Sequence, residues 1–151
     1  MTSKLDRQVL KGLQDDFPVE SRPFASAGAR FGLSESRLIR RLKKLRRTGH
    51  IRYLGAVWEN GKLGIRSTLV AMRVDKKYIK RTVKVINSYP QVSHNYLRRG
   101  EFNIWFTLSA GSRASLSRLI NEIKRKTGIK EVINLETVKV FKIDARFNFK
   151  N

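Results

Sequence analysis

The stretch Asn103-Ile104-Trp105-Phe106-Thr107-Leu108-Ser109, followed after Ala110-Gly111-Ser112 by the run Arg113 to Thr127, decides the fold. Ile104, Phe106 and Leu108 alternate with their neighbours, the period of a strand with one face against a core. Beyond Arg113 the period changes. Leu116, Leu119, Ile120 and Ile123 recur at helical spacing and Gly128 closes the run, which predicts a helix over Arg113 to Thr127. Outward from this pair, Val132 to Phe141 reads as a following strand. Val92 to Arg98 reads as a preceding one, joined across a turn at Gly100-Glu101. Further upstream lies a strand over Thr68 to Val74. A helix over Lys76 to Ser88 follows, with Ile79, Val83 and Ile86 on one face, before a turn at Tyr89-Pro90. The order βαββαβ is that of a ferredoxin-like unit, whose antiparallel sheet carries both helices on one face and leaves the other open. In the tail from Ile143 to Asn151, Phe147 and Phe149 alternate, which suits a further strand or pairing with another subunit.

The N-terminal part has a different period. Leu5, Val9, Leu10 and Leu13 fall at helical spacing until Asp15-Asp16-Phe17-Pro18 breaks the pattern, and a second short helix fits Phe24 to Phe31. Gly32-Leu33-Ser34 supplies a turn and a cap, and Glu35 to Thr48 forms a third helix with Leu38, Leu42 and Leu45 on one face, ending at Gly49. Three helices with this tight turn make a helix-turn-helix unit. Ile51 to Trp58 then reads as a strand, Glu59-Asn60-Gly61 as a hairpin turn and Lys62 to Ile65 as the return, a wing. The expected class is therefore α+β, with a winged helix-turn-helix over residues 1–66 and a ferredoxin-like domain over residues 67–151.

Composition narrows the chemistry. The 151 residues carry 33 Lys and Arg against 12 Asp and Glu, a net charge of +21, which implies an anionic partner. The excess is present in both halves, so it is not a single nucleic-acid-binding arm. Without Cys there is no disulfide, thiolate metal site or Cys nucleophile, and two His cannot make an all-His metal site within one chain. No run approaches a membrane span, and Met1-Thr2-Ser3-Lys4-Leu5-Asp6 has no apolar signal core behind it; a cytoplasmic protein with no membrane partner is expected.

Two segments carry recognition chemistry. Arg37, Arg40, Arg41, Lys43, Lys44, Arg46 and Arg47 crowd the third helix, where such side chains either contact DNA phosphates and bases or form a solvated face opposite Leu38, Leu42 and Leu45. The second segment is Val92-Ser93-His94-Asn95-Tyr96-Leu97-Arg98-Arg99 with Asn103-Ile104-Trp105-Phe106. Regular alternation places Val92, His94, Tyr96 and Arg98 on one face of their strand and Asn103, Trp105 and Thr107 on one face of the next. An open sheet face that combines imidazole, phenol, indole and guanidinium suits a flat aromatic anion, or else an interface between subunits. Arg52, Lys62 and Arg66 are near the predicted hairpin and would present cations, while Tyr53 and Trp58 are expected to pack there and His50 to close the third helix.

The whole chain resembles the Lrp/AsnC family in architecture, with Gly32-Leu33-Ser34-Glu35-Ser36-Arg37 through Gly49-His50-Ile51-Arg52 carrying the first part. Leu54-Gly55-Ala56-Val57, Lys62-Leu63-Gly64, Ser67-Thr68-Leu69-Val70-Ala71, Ile86-Asn87-Ser88-Tyr89-Pro90, Val92-Ser93-His94-Asn95-Tyr96 and Asn103-Ile104-Trp105-Phe106-Thr107 look more specifically like the siroheme decarboxylase subunits of the alternative heme pathway, Lrp-like proteins used as enzymes. The resemblance implies a carboxy-lyase that removes the carboxyl groups of two acetate side chains, at positions 12 and 18 of siroheme, to give didecarboxysiroheme. It implies an Lrp/AsnC-type ligand-binding and dimerisation domain over residues 67–151, no cofactor separate from the substrate, whose iron siroheme itself brings, and a related second subunit or a second copy as partner. On this basis His94 and Tyr96 are the catalytic candidates. His94 serves either as iron ligand or as acid, and Arg52, Lys62, Asn95, Arg98, Arg99, Asn103 and Trp105 hold the substrate. The family often has a basic or His-containing wing hairpin; here Trp58-Glu59-Asn60-Gly61-Lys62 leaves Lys62 as the cation, which would suit the less catalytic subunit of a pair. The alternatives are an Lrp/AsnC-type transcription regulator that binds DNA through Arg37 to Arg47, and a structural partner without its own active site.

Overall fold

A computed structural model describes residues 2–14, 16–142 and 147. Its elements run α1 (Lys4–Gly12), α2 (Pro23–Ala29), α3 (Glu35–Arg47), β1 (Arg66–Met72), α4 (Ile79–Asn87), β2 (Val92–Leu97), β3 (Ile104–Ala110), α5 (Arg113–Thr127) and β4 (Val132–Glu136). Two compact units result, one extending to Ala56 and taking in Phe147, the other spanning Val57–Phe141.

In the first unit Val9, Ala27, Leu38 and Leu42 form a buried cluster that Leu5, Leu13, Phe24, Phe31, Leu33 and Ile51 enclose. α1 starts with a reciprocal cap: the Ser3 hydroxyl accepts from the Asp6 N–H, and the Asp6 carboxylate accepts from the Ser3 N–H. Asp6 is buried and ion-paired with Arg41 of α3, which ties the first helix to the third. Burial alone would raise the Asp6 pKa, but the Arg41 guanidinium and the Ser3 hydrogen bonds outweigh it and lower the carboxyl to about 2. Pro23 occupies the first turn of α2, where its missing N–H leaves no bond unmade. Glu35 at the start of α3 pairs with Arg22.

The second unit is a four-stranded antiparallel sheet in the order β2-β3-β1-β4, with α4 and α5 on one face. Val70, Met72, Ile104, Phe106 and Leu108 face these helices and pack with Ile86, Leu116, Ile120 and Ile123. α5 is capped by the Ser112 hydroxyl, which accepts from the Ser115 N–H, and ends at Gly128 in the left-handed conformation, φ 74°.

Three local expectations change. No wing forms: residues 51–58 make no ladder, and Asn60–Leu63 is a 3-10 turn closed by Gly64. Tyr53, Val57 and Trp58 lie exposed instead of packing, so a two-stranded ribbon there would bury nothing to offset its ordering. The two units accordingly divide between Ala56 and Val57, ten residues before the end of the expected winged domain, with the 3-10 turn on the side of β1. β4 stops at Glu136 instead of reaching Phe141: Glu136 pairs with Thr68, and β1 has only Ser67 and Arg66 beyond it, too short to carry a strand to Phe141. The segment Lys76 to Ser88 is a 3-10 turn over Lys76–Tyr78 followed by α4. Of the tail, only Phe147 is among the described residues; its N–H donates to the Gln14 side chain and its carbonyl accepts from it, and the expected strand or subunit pairing of Ile143 to Asn151 otherwise lies outside them. Among the described residues no helix is long and apolar enough to cross a membrane.

Candidate functional site

The helix-free face of the sheet is set by register. Tyr96 of β2 pairs with Trp105 of β3, which pairs with Ala71 of β1 and through it Ile133 of β4. The next row is His94, Thr107, Leu69 and Leu135. The β2–β3 side is thus aromatic and cationic, the β1–β4 side aliphatic. Leu69, Ile133 and Leu135 are each about 40% exposed, and Tyr96 49%.

On the polar side the groups form a layered stack. The His94 and Tyr96 rings lie 6.0 Å apart with an interplanar angle of 19°. The Arg98 guanidinium is 6.0 Å from the Tyr96 ring and 5.9 Å from the Trp105 ring, placing one cation against two π faces. Trp105 is half-buried and its indole N–H donates to the Phe102 carbonyl at 2.6 Å, which fixes the ring without spending its exposed face. His94 is exposed, its Nδ1 3.0 Å from Ser93 Oγ.

One feature of β2 defeats simple alternation. Val92 pairs with Leu108 and His94 with Thr107, so Ser93 is an extra residue and the strand is bulged there. Val92 therefore packs against the core with the helix-facing residues, not on the face of His94, Tyr96 and Arg98 as regular spacing predicts.

The other sequence candidates are distributed as follows. Asn95 belongs to the helix side of β2, where its amide N–H donates to Asn87 Oδ1 at 2.9 Å, linking the strand to the end of α4. Asn103 clamps Val74: its Oδ1 accepts from the Val74 N–H at 3.0 Å and its Nδ2 donates to the Val74 carbonyl at 2.8 Å. Both polar atoms of Asn103 are thus committed to Val74, whereas Asn95 Oδ1 is buried without a hydrogen-bond partner among the described residues. Arg99 is exposed in the turn after β2, Lys62 is exposed in the 3-10 turn, and Arg52 is exposed after α3 in the other unit. His50 closes α3 as expected, its Nδ1 2.8 Å from the Thr48 hydroxyl. The sequence reading missed the aliphatic half of the face. Its signal was present in the alternation of Leu69 with Ala71 and of Ile133 with Leu135.

Among the described residues no three His, Asp or Glu side chains come together to hold a metal ion. A concavity of about 860 Å³ lies against α3 and is lined by Leu5, Leu33 and six basic side chains including Arg37, Arg40, Lys44 and Arg47. A second, about 650 Å³, follows α5 along Arg118, Asn121, Lys124 and Arg125. Neither includes the His94–Trp105 face, which is an open surface.

Helix-turn-helix helices followed by this sheet define an AsnC-like protein. Residues 62–142 match the AsnC-like ligand binding domain, and residues 6–52 match the siroheme decarboxylase NirDL-like helix-turn-helix domain. The chain is 40% identical over 147 residues to the siroheme decarboxylase alpha subunit of Desulfovibrio desulfuricans, covering 97% of this chain and 84% of that one. It is 33% identical to the siroheme decarboxylase NirD subunit of Pseudomonas aeruginosa, covering 95% and 94%. The crystal structure of the siroheme decarboxylase NirDL in complex with an iron-uroporphyrin III analogue superposes with a TM-score of 0.68 at 28% identity, over 97% of this chain and 48% of that one. An AsnC family transcriptional regulator from Agrobacterium tumefaciens shares the fold, with a TM-score of 0.76 at 22% identity over 97% of each chain. This chain belongs to the siroheme decarboxylase family.

Proposed function

We propose that this chain is one subunit of a siroheme decarboxylase, a carboxy-lyase of the alternative heme pathway, and that its open sheet face receives the tetrapyrrole. One observation carries the reading: His94, Tyr96, Arg98 and Trp105 converge on the same uncovered face, joined by stacking and cation–π contacts. A flat macrocycle fringed by carboxylates is matched by aromatic area for its faces and guanidinium for its edges. The net charge of +21 draws such a polyanion in.

The reaction on siroheme is loss of carbon dioxide from the acetate side chains at positions 12 and 18. In each, the bond between the methylene carbon and the carboxylate breaks, its electron pair stays with the carbon conjugated to the ring, and one proton delivered there completes a methyl group. Arg98 and Arg99 hold carboxylates, with Lys62 of the same unit as a further cation. Tyr96 and Trp105 position the ring, and His94 either ligates the substrate's iron or supplies the proton. Asn95 and Asn103, although candidates by resemblance, act at one remove by holding β2 to α4 and β3 to β1. The names of the relatives, alpha subunit and NirD subunit, support a second subunit as partner.

The test is anaerobic incubation with iron-loaded siroheme, with and without that subunit, and mass analysis of the product. Loss of two carboxyl groups is expected. Tight binding without loss, even in the complex, overturns the catalytic reading. In a His94→Ala variant, an unchanged iron spectrum rules out ligation and undiminished turnover rules out an essential acid.

A second reading is favoured by α3, where Arg37, Arg40, Lys44 and Arg47 are all exposed at spacings of three and four, opposite buried Leu38, Leu42 and Leu45. Sequence-selective duplex DNA binding at physiological salt would support a regulator. Weak, unselective binding that salt abolishes would leave only the general charge.

A further inference from the structure

The extra residue in β2 is not explained by the fold. A strand without Ser93 would run from Val92 directly to His94, and simple alternation would still place Val92 in the core opposite Leu108 and His94 on the open face opposite Thr107. The bulge also costs a ladder position, and Ser93 itself is exposed, contributing nothing to the buried cluster. What the insertion adds is a hydroxyl beside the imidazole. Two successive residues of a bulge stand opposite a single partner, here Thr107, and Ser93 Oγ lies 3.0 Å from His94 Nδ1.

The imidazole has two nitrogens, and the partner of one decides what the other can do. If Nδ1–H donates to the hydroxyl oxygen, the outward Nε2 carries the free lone pair in the neutral ring and a transferable proton in the charged one. If the hydroxyl donates to Nδ1, Nε2 is locked as an N–H and cannot bind a metal. A Ser hydroxyl accepts readily because its own proton is free to turn toward water on this exposed surface. The Tyr96 ring, stacked on His94 at 19°, restrains the tilt of the imidazole but cannot choose its tautomer.

We infer that Ser93 is a positioning residue: the β2 bulge holds its hydroxyl as the acceptor for His94 Nδ1–H, so that Nε2 faces the tetrapyrrole with its lone pair available. This rests on the reading that His94 meets the substrate, and it applies to either role given to His94.

The test uses the full chain, wild type and the variants Ser93→Ala, Ser93→Thr and a deletion of Ser93, with ring-nitrogen NMR of His94 at alkaline pH and no tetrapyrrole present. The wild type is expected to show mainly the Nδ1–H form. Ser93→Ala and the deletion are expected to shift it toward the Nε2–H form, and Ser93→Thr to restore it. An iron porphyrin bearing carboxylates is then titrated into the complex with its second subunit; Ser93→Ala is expected to bind about 10-fold more weakly with an altered iron spectrum. An unchanged tautomer in Ser93→Ala, or failure of Thr to restore it, overturns the inference. A tautomer that responds while iron spectrum, affinity and turnover do not upholds the Ser93–His94 contact and overturns the reading of His94 as a substrate-facing group.

Discussion

Replacing Asp6 by Asn tests how the helical unit is held together. The Asp6 carboxylate is buried, accepts from the Ser3 N–H at the start of α1 and pairs with Arg41 of α3, and its pKa falls from 3.8 to about 2. A depressed folded-state pKa means that the unfolded chain binds the proton more readily. The stabilisation is therefore fully present above about pH 4 and is lost as pH falls through about 2. At about 1.4 kcal/mol per unit, the shift corresponds to roughly 2.5 kcal/mol at pH 7. Urea unfolding of wild type and Asp6→Asn, followed by circular dichroism from pH 7 to pH 2, measures it. The expected difference is about 2 kcal/mol at neutral pH, shrinking toward zero near pH 2 as the wild-type carboxyl is protonated. Other carboxyls titrate in both proteins and cancel in the difference. Asp16→Asn is the control, because its pair with Arg30 is exposed and should change stability by less than about 1 kcal/mol. A loss below about 0.5 kcal/mol in Asp6→Asn, or one that does not vary with pH, would refute the assignment of Arg41 as the anchor of α1.

Phe106→Ala empties the centre of the sheet–helix core and should cost about 3–5 kcal/mol, read as a lower denaturation midpoint of the second unit. Gly128→Ala forces a Cβ into φ 74° at the end of α5 and should cost about 1–2 kcal/mol even though the space around it is open, so a neutral melting curve would argue against the left-handed cap. Arg98→Ala should weaken binding of a carboxylated iron porphyrin by roughly 10- to 100-fold, the loss of one charge-assisted hydrogen bond, in an equilibrium titration. Raising ionic strength from about 0.05 M to 0.5 M should weaken wild-type binding more than it weakens Arg98→Ala; equal salt dependence would remove Arg98 from carboxylate recognition.

What the sequence determined by itself is the class of most elements and the face each turns inward. The spacing of Leu38, Leu42 and Leu45, of Ile79, Val83 and Ile86, and of Ile104, Phe106 and Leu108 reports which faces must leave water, and burial follows that pattern closely. That His94 and Tyr96 share the open face with Trp105 was legible for the same reason, since neighbouring antiparallel strands with known inward faces bring their outward residues together. Tertiary structure alone decided the rest. A single inserted residue at Ser93 inverts the faces before and after it, and no periodicity in β2 announces it, because the register is set by Leu108 and Thr107 on another strand. Asn103 reads as a free polar group until the position of Val74 shows where both its hydrogen bonds go, and the tie of Asn95 Nδ2 to Asn87 is equally invisible in sequence. The wing was written in turn-forming residues, Asn60-Gly61, yet a turn signal is local whereas a ribbon needs a surface to cover, and Tyr53, Val57 and Trp58 are exposed among the described residues. Local propensity and period are properties of adjacent residues; register, satisfaction of buried polar groups and the worth of a hairpin depend on residues far away in sequence, and only the folded chain brings those together.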